Sequence, residues 1–259
     1  MKSLPQLMVA PNGARKTKAD HKQLPITIAE TVATAKACYK AGADAIHLHV
    51  RNTDGSHSLD SDLYREAMNQ LAVQVPHLAV QITTEAVGQY TPDQQRQVIK
   101  DTLPDYVSIS LTEMLSGDLD AATDFYRWCT EESISVQHIL YGQDDLDSLE
   151  IMLAQGNLSK RNLQLLFVLG RYTTNQVSDP EDLTLFTQWL AKNDVLADWA
   201  VCAFGMNETR CLEAALHAGG KIRVGFENSF WNHDGSLAEH NAERVAEIRQ
   251  LIDRLAVNQ

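Results

Sequence analysis

Thr27-Ile28-Ala29-Glu30 opens a helical stretch that runs to Tyr39; Gly42 follows, and then Asp44-Ala45-Ile46-His47-Leu48-His49-Val50. Thr27 and Glu30 stand at the spacing of a capping box, which predicts a helix start there. Gly42 is the stop. The seven residues from Asp44 form a mostly apolar run of strand length. Within it His47 and His49 sit at i and i+2, so on a strand they leave the same face, about 7 Å apart along the chain.

The same unit recurs in both directions. Gln6 to Val9 is a first short strand. Leu59, Leu63, Ala67 and Leu71 mark one helix face after the second strand. Leu78 to Thr83 is the third strand, followed by a helix opened by Thr91-Pro92-Asp93-Gln94, with Pro at its first position and Gln as the capping partner. Tyr106 to Leu111, Val136 to Tyr141 and Leu163 to Gly170 are the next three strands. Leu119 to Cys129, Leu146 to Leu153 and a helix from Asp179 to Ala191 follow them in turn. Trp199 to Phe204 leads to a helix capped by Asn207 and closed by Gly219, and Ile222 to Phe226 leads to a closing helix through Val245, Ile248, Leu251, Ile252 and Leu255. Eight strand-then-helix units in one chain of 259 residues predict an α/β fold, a (β/α)₈ TIM barrel, spanning 1–259 as a single domain. A doubly wound open sheet is disfavoured because no G-x-G-x-x-G loop follows an early strand.

Composition bounds the function. Hydrophobic content of 44% and charged content of 22% are ordinary for a globular chain with a substantial core. A formal net charge of -12 disfavours nucleic acid and anionic membranes as partners. The sequence carries no signal-peptide pattern and no long apolar span, and its four cysteines are scattered. These features predict a cytoplasmic protein with buried free thiols.

A barrel places its chemistry at the C-terminal ends of the strands. That selects Ala10-Pro11-Asn12-Gly13-Ala14-Arg15, then His47, His49 and Arg51, then Thr83-Thr84-Glu85. It also selects Ser108, Ser110 and Thr112, then His138 and Tyr141, and last Arg223, Gly225, Glu227 and Asn228. Two imidazoles on one strand face can share a metal ion and need a third protein ligand, with a position left open for substrate. Glu227, placed on the same strand face as Arg223, is the candidate, with a simple Arg223 ion pair as the alternative. Two imidazoles and a carboxylate suit zinc best, ahead of iron or manganese. His57, His77, His217, His233 and His240 fall in loops or helices and read as surface residues. Arg15, Lys16, Lys18, Arg51 and Arg223 map near the active rim and point to an anionic substrate.

Taken together, Ala10-Pro11-Asn12-Gly13-Ala14, His47-Leu48-His49-Val50-Arg51 with Asp54-Gly55, Gln81-Ile82-Thr83-Thr84, Phe167-Val168-Leu169-Gly170 and Arg223-Val224-Gly225-Phe226-Glu227 resemble the β-keto acid cleavage enzyme family over nearly the whole chain. The resemblance implies a zinc-dependent barrel that converts a β-keto acid and acetyl-CoA into acetoacetate and a new CoA ester. It implies His47, His49 and Glu227 as Zn²⁺ ligands and Arg223 as the arginine that orients the catalytic carboxylate. Asn12, Arg15, Arg51, Thr83, Ser108 and Ser110 become the substrate-binding candidates. It implies a homo-oligomer, a tetramer or a dimer.

The sequence departs from the family pattern at several points. Asn228 stands where the characterised enzyme has an aspartate base, and an amide cannot accept the proton; Glu85 is the candidate substitute. The Gly-rich loop after the sixth strand is replaced by Gly170-Arg171-Tyr172-Thr173-Thr174-Asn175. Arg15 stands where a glutamate meets an amino-bearing substrate, which favours a second carboxylate instead. Two other readings stay open: a zinc lyase or aldolase that does not use CoA, and a non-catalytic barrel that binds a small acid.

Overall fold

The computed structural model describes residues 2–171 and 173–257. Eight parallel strands close into a barrel. In chain order they are β1 (Leu7–Val9), β2 (Ala45–Leu48), β5 (Ala79–Thr83), β6 (Tyr106–Ser110), β7 (Ser135–Leu140), β8 (Gln164–Leu169), β9 (Asp198–Ala203) and β10 (Lys221–Val224). β3 (Val50–Arg51) and β4 (His57–Ser58) form a small antiparallel hairpin outside the barrel. Around the barrel run α1 (Ile28–Lys40), α2 (Ser61–Gln74), α3 (Pro92–Thr102), α4 (Leu111–Leu115), α5 (Leu119–Glu131), α6 (Gln143–Ala154), α7 (Leu183–Lys192), α8 (Glu208–His217) and α9 (Asn241–Val257). The (β/α)₈ TIM barrel expected from the sequence is the observed fold.

The local signals explain the elements. Both capping boxes form: Thr27 accepts from the Glu30 amide, and Thr91 accepts from that of Gln94. The strands read as apolar runs because both faces are buried, one against helices and one inside the barrel. Phe167 on β8 packs outward on Phe186 of α7, with ring centroids 4.5 Å apart.

Several boundaries differ from the sequence reading, each for a local reason. The second strand ends at Leu48 rather than Val50. The chain then leaves the barrel, and Val50 and Arg51 pair with Ser58 and His57 around the turn at Asp54-Gly55. The run from Tyr106 is cut at Ser110, whose hydroxyl accepts the Glu113 amide and starts the short α4. The helix expected from Asp179 opens with a 3₁₀ turn, Pro180–Asp182, before α7. Asn207 does not cap α8 through its side chain; that amide donates to the Ser178 carbonyl at 2.9 Å.

Barrel register decides which residues face inward. His47 pairs with Gln81, Thr83 with Ser108, and Ser108 with Gln137. Neighbours in register share a face, so His47, Gln81, Thr83, Ser108 and Gln137 line the interior. His138 is therefore turned outward, where its ring meets Tyr126 of α5 at 5.0 Å. Burial pushes its imidazole down to about 4.

Candidate metal centre and active site

The mouth of the barrel gathers polar side chains from strands far apart in sequence. The Nε2 atoms of His47 and His49 lie 3.1 Å apart. Glu227 Oε2 stands 3.6 Å from the first and 3.4 Å from the second. The donor atoms of these three residues all fall within 4.8 Å of one another, which is the reach of a single metal ion. Glu227 Oε2 has no hydrogen-bond partner among the described residues although it is buried. An orphaned carboxylate oxygen beside two imidazole nitrogens is the donor set of a cation site. The three side chains fit a metal.

Their supports are visible. His47 Nδ1 faces Gln81 Oε1 at 2.8 Å; an amide oxygen only accepts, so Nδ1 carries the proton and Nε2 keeps its lone pair. Gln81 Nε2 donates to Gln137 Oε1 at 2.9 Å, and Gln137 Nε2 donates to the Leu165 carbonyl at 3.1 Å. Both glutamines are buried, so this chain fixes the ring against backbone. Burial and the Arg223 charge hold the His47 imidazole well below its ordinary range, so it is neutral and able to ligate.

Glu227 does not continue the last strand. β10 ends at Val224, and Gly225, with φ +141°, turns the chain under Ala10. The turn carries Glu227 back over Arg223, whose Nη2 donates to Glu227 Oε1 at 3.1 Å and to Cys202 Sγ at 3.3 Å. Burial pushes the Glu227 carboxyl up, but Arg223, His47 and His49 overcome it and hold it well below the carboxylate range. The turn is pinned from behind. The Phe226 amide donates to Asn241 Oδ1 at 2.9 Å, and the Phe226 carbonyl accepts Lys16 Nζ at 2.8 Å. The Gly225 amide donates to Glu208 at 3.4 Å, and Glu208 is itself paired with fully buried Arg244 at 2.9 Å.

A pocket opens on this centre, lined by His47, Thr83, Glu85, Ile139, Tyr141, Val168, Arg171, Phe204, Arg223 and Glu227. Glu85 Oε1 accepts Arg171 Nη2 at 3.1 Å on its wall, and the Arg171 guanidinium lies over the Phe204 ring at 5.1 Å. Thr83 Oγ1 accepts the Glu85 amide, which leaves its own proton to donate. Ser108 Oγ is buried and unpartnered among the described residues, while Ser110 is engaged as the cap of α4.

Other candidates lie elsewhere. Arg51 is buried, and its guanidinium donates to the carbonyls of Gly13, Gly55 and Lys16. It therefore braces the loop after β1 instead of pointing into the pocket. Asn12 donates to the carbonyls of Pro25 and His49. Arg15 is exposed on the rim, and Lys18 pairs with Glu30 at 2.8 Å. Asn228 is buried with both amide atoms unpartnered among the described residues.

His57 is not the surface residue expected. It is buried, its ring centroid is 5.5 Å from that of His49, and its Nε2 donates to the Glu85 carbonyl at 2.7 Å. Burial, aided by the neighbouring His49, pushes its imidazole down to about 3. Sequence reasoning also missed Gln81 as a support. The signal was present, because Gln81 and Thr83 alternate on one strand, and two polar inward positions mark a functional layer.

Barrels with cation-binding side chains at this end form a class of enzymes in which substrate meets the metal at the barrel mouth. Within that class, residues 6–258 match the model of the beta-keto acid cleavage enzyme family, and the chain belongs to that family. It is 26% identical to a 3-keto-5-aminohexanoate cleavage enzyme of Fusobacterium nucleatum, covering 94% of this chain and 89% of that one. It is 24% identical to a 3-oxoadipate:acetyl-CoA acetyltransferase of Cupriavidus necator, covering 95% and 88%. The solved complex of ObcA with oxaloacetate superposes with a TM-score of 0.69 at 15% identity, over 91% of this chain; the chain spans 64% of the length of that one. That likeness concerns the fold. Among the described residues no helix is long and apolar enough to cross a membrane.

Proposed function

We propose that the chain is a zinc-dependent enzyme that condenses an anionic β-keto acid with acetyl-CoA, giving acetoacetate and a new CoA ester. The observation that carries this reading is the convergence of His47 Nε2, His49 Nε2 and Glu227 Oε2 within 4.8 Å in a family of β-keto acid cleavage enzymes. Relatives named for 3-oxoadipate and for 3-keto-5-aminohexanoate support the substrate class.

His47, His49 and Glu227 would hold the zinc, which when bound supplies Lewis acidity toward a keto oxygen and the enolate charge that develops there. Arg223 fixes the Glu227 carboxylate and adds a permanent positive charge beside it. Thr83 and Ser108 offer hydroxyl donors inside the barrel. Arg171 supplies the cation for a substrate carboxylate, in place of the rim residue Arg15. Glu85, on the pocket wall, is the group able to move a proton at carbon, because the Asn228 amide has no basic site. Ile139, Val168 and Phe204 form the apolar wall that keeps water from the reacting carbons.

The test incubates zinc-loaded protein with acetyl-CoA and a panel of β-keto acids and follows acetoacetate and CoA esters by mass spectrometry. A new ester paired with acetoacetate supports the reading, and its mass names the substrate. Cleavage without acetyl-CoA would favour the lyase reading that Asn228 motivates. His49→Ala with zinc and activity both intact would remove the site assignment.

A further inference from the structure

His49 offers its Nε2 toward His47 and Glu227, at 3.1 and 3.4 Å. An imidazole that ligates through Nε2 carries its proton on Nδ1. In His49 that Nδ1 is buried and has no partner among the described residues. His57 presents the complementary defect. Its Nε2 faces the Glu85 carbonyl at 2.7 Å, and a carbonyl only accepts, so the His57 proton sits on Nε2. Its Nδ1 then bears a lone pair, and that atom too is buried and unpartnered among the described residues. The two rings are neighbours, with centroids 5.5 Å apart and planes inclined at 54°. One ring lacks an acceptor and the other lacks a donor.

The backbone holds His57 in this place. The β3–β4 hairpin pairs Arg51 with His57, so the chain folds back over its own strand end directly after His49. Arg51 is fastened to the carbonyls of Gly13, Gly55 and Lys16, which makes the hairpin base rigid. Tyr90 packs edge-on against the His57 ring at 5.9 Å.

We propose that His57 is a positioning residue of the metal centre, whose Nδ1 accepts the Nδ1 proton of His49 through one bridging water and fixes the tautomer and ring angle of that ligand. It does for His49 what Gln81 does for His47. Because its other nitrogen holds the Glu85 carbonyl, His57 also ties the zinc ligand to the segment that carries the proposed base. The inference rests on the reading of His47, His49 and Glu227 as zinc ligands.

The experiment measures zinc affinity by competition with a chromophoric chelator, and the visible spectrum of the cobalt-substituted protein, for wild type, His57→Phe and His57→Asn. Phenylalanine keeps the bulk and removes the acceptor. Asparagine returns an acceptor oxygen near the Nδ1 position. The expected result is a loss of roughly 10–100-fold in affinity and an altered cobalt spectrum for His57→Phe, with most of both restored in His57→Asn. Unchanged affinity in a folded His57→Phe overturns the inference, as does an equal loss in both variants, which would mark a packing role. A wild type that binds no zinc overturns the ligand reading itself, and the inference with it. Should His57→Phe fail to fold, the histidine tautomers of the zinc-loaded wild type decide, read by nitrogen-proton correlation. A proton on His57 Nε2 and on His49 Nδ1 supports the inference, and a proton on His57 Nδ1 overturns it.

Discussion

Gly13 is packed against Glu227 so closely that a Cβ on it would stand 2.6 Å from Glu227 Cγ. Its φ of +63° is one that a side chain disfavours as well. The loop after β1 is thus a wall for the Glu227 carboxylate, and Arg51 holds that wall in place through the Gly13 carbonyl. Gly13→Ala is expected to displace Glu227 and weaken zinc binding by at least about tenfold, comparable to losing an outer partner of a ligand, although every ligand remains. Chelator competition beside a thermal melt checks it. A melt lowered with zinc affinity intact would mean that the loop, and not the carboxylate, had moved.

Gln81 joins His47 to Gln137, and both amides are buried. Gln81→Leu removes the acceptor for the His47 proton and leaves Gln137 Oε1 without its donor. Zinc affinity should fall by roughly 10–100-fold, and stability by about 1–3 kcal/mol for the stranded polar atom. Gln81→Glu keeps an acceptor toward His47 and should hold most of the affinity. Competition titrations and urea unfolding separate the two effects.

Arg244 is fully buried, paired with Glu208 at 2.9 Å and also bonded to Glu247 and Thr209. Arg244→Leu leaves the Glu208 carboxyl without its counter-charge beneath the Gly225 turn. A loss of about 3–5 kcal/mol is expected from breaking such a pair, measured by urea unfolding. Arg244 lies beyond the proposed ligands, so zinc affinity should fall only as far as the turn shifts. A variant as stable as wild type would show that the pair is not holding this turn.

The barrel was legible because its signals are local. Apolar runs such as Leu163 to Gly170, capping boxes at Thr27 and Thr91, and stops such as Gly42 each act within a few residues. The histidine pair was legible for the same reason, since strand parity alone brings 47 and 49 together. What stayed hidden depends on register between distant segments. His57 reaches His49 only because the hairpin pairs it with Arg51. Arg171 meets Glu85 across 86 positions of chain. Arg51 looked like a substrate ligand because sequence displays its charge but not the carbonyls that take its hydrogen bonds. His138 and Tyr141 looked equivalent, yet the pairing of Ser108 with Gln137 turns His138 outward while Tyr141 reaches the pocket.

His138 gives a pH dependence separate from the metal centre. Burial lowers its imidazole from an ordinary 6.5 to about 4. Below pH 6.5 the unfolded chain takes up a proton that the folded chain refuses, so stability is lost as pH falls from 6.5 toward 4 and is unaffected above 7. Each pH unit in that window costs about 1.4 kcal/mol. His138→Phe removes this contribution, so the stability difference between variant and wild type should move in the variant's favour by roughly 3 kcal/mol between pH 7 and pH 4. Urea unfolding of metal-free protein at several pH values checks it. A constant difference would mean that His138 takes up its proton as readily in the folded state as in the unfolded chain.

In the proposed reaction the base is Glu85, and the surroundings of Glu85 and Asn228 support that choice. Glu85 lines the pocket with His47 and Glu227 and is held by Arg171 at 3.1 Å. Asn228 is buried as an amide, which neither takes nor gives the proton that the chemistry moves. Glu85→Gln keeps the size and a hydrogen-bond acceptor for Arg171 but loses the basic site. Turnover should fall by about 10²–10⁴-fold, with zinc content unchanged and KM little altered. Asn228→Ala should cost far less turnover, since only packing is lost. Stopped assays of both variants, with metal analysis alongside, decide between them. If Asn228→Ala proved the more damaging at full zinc content, the proton would have to travel by a route through the Asn228 position, and Glu85 would serve only to hold Arg171 against the pocket wall.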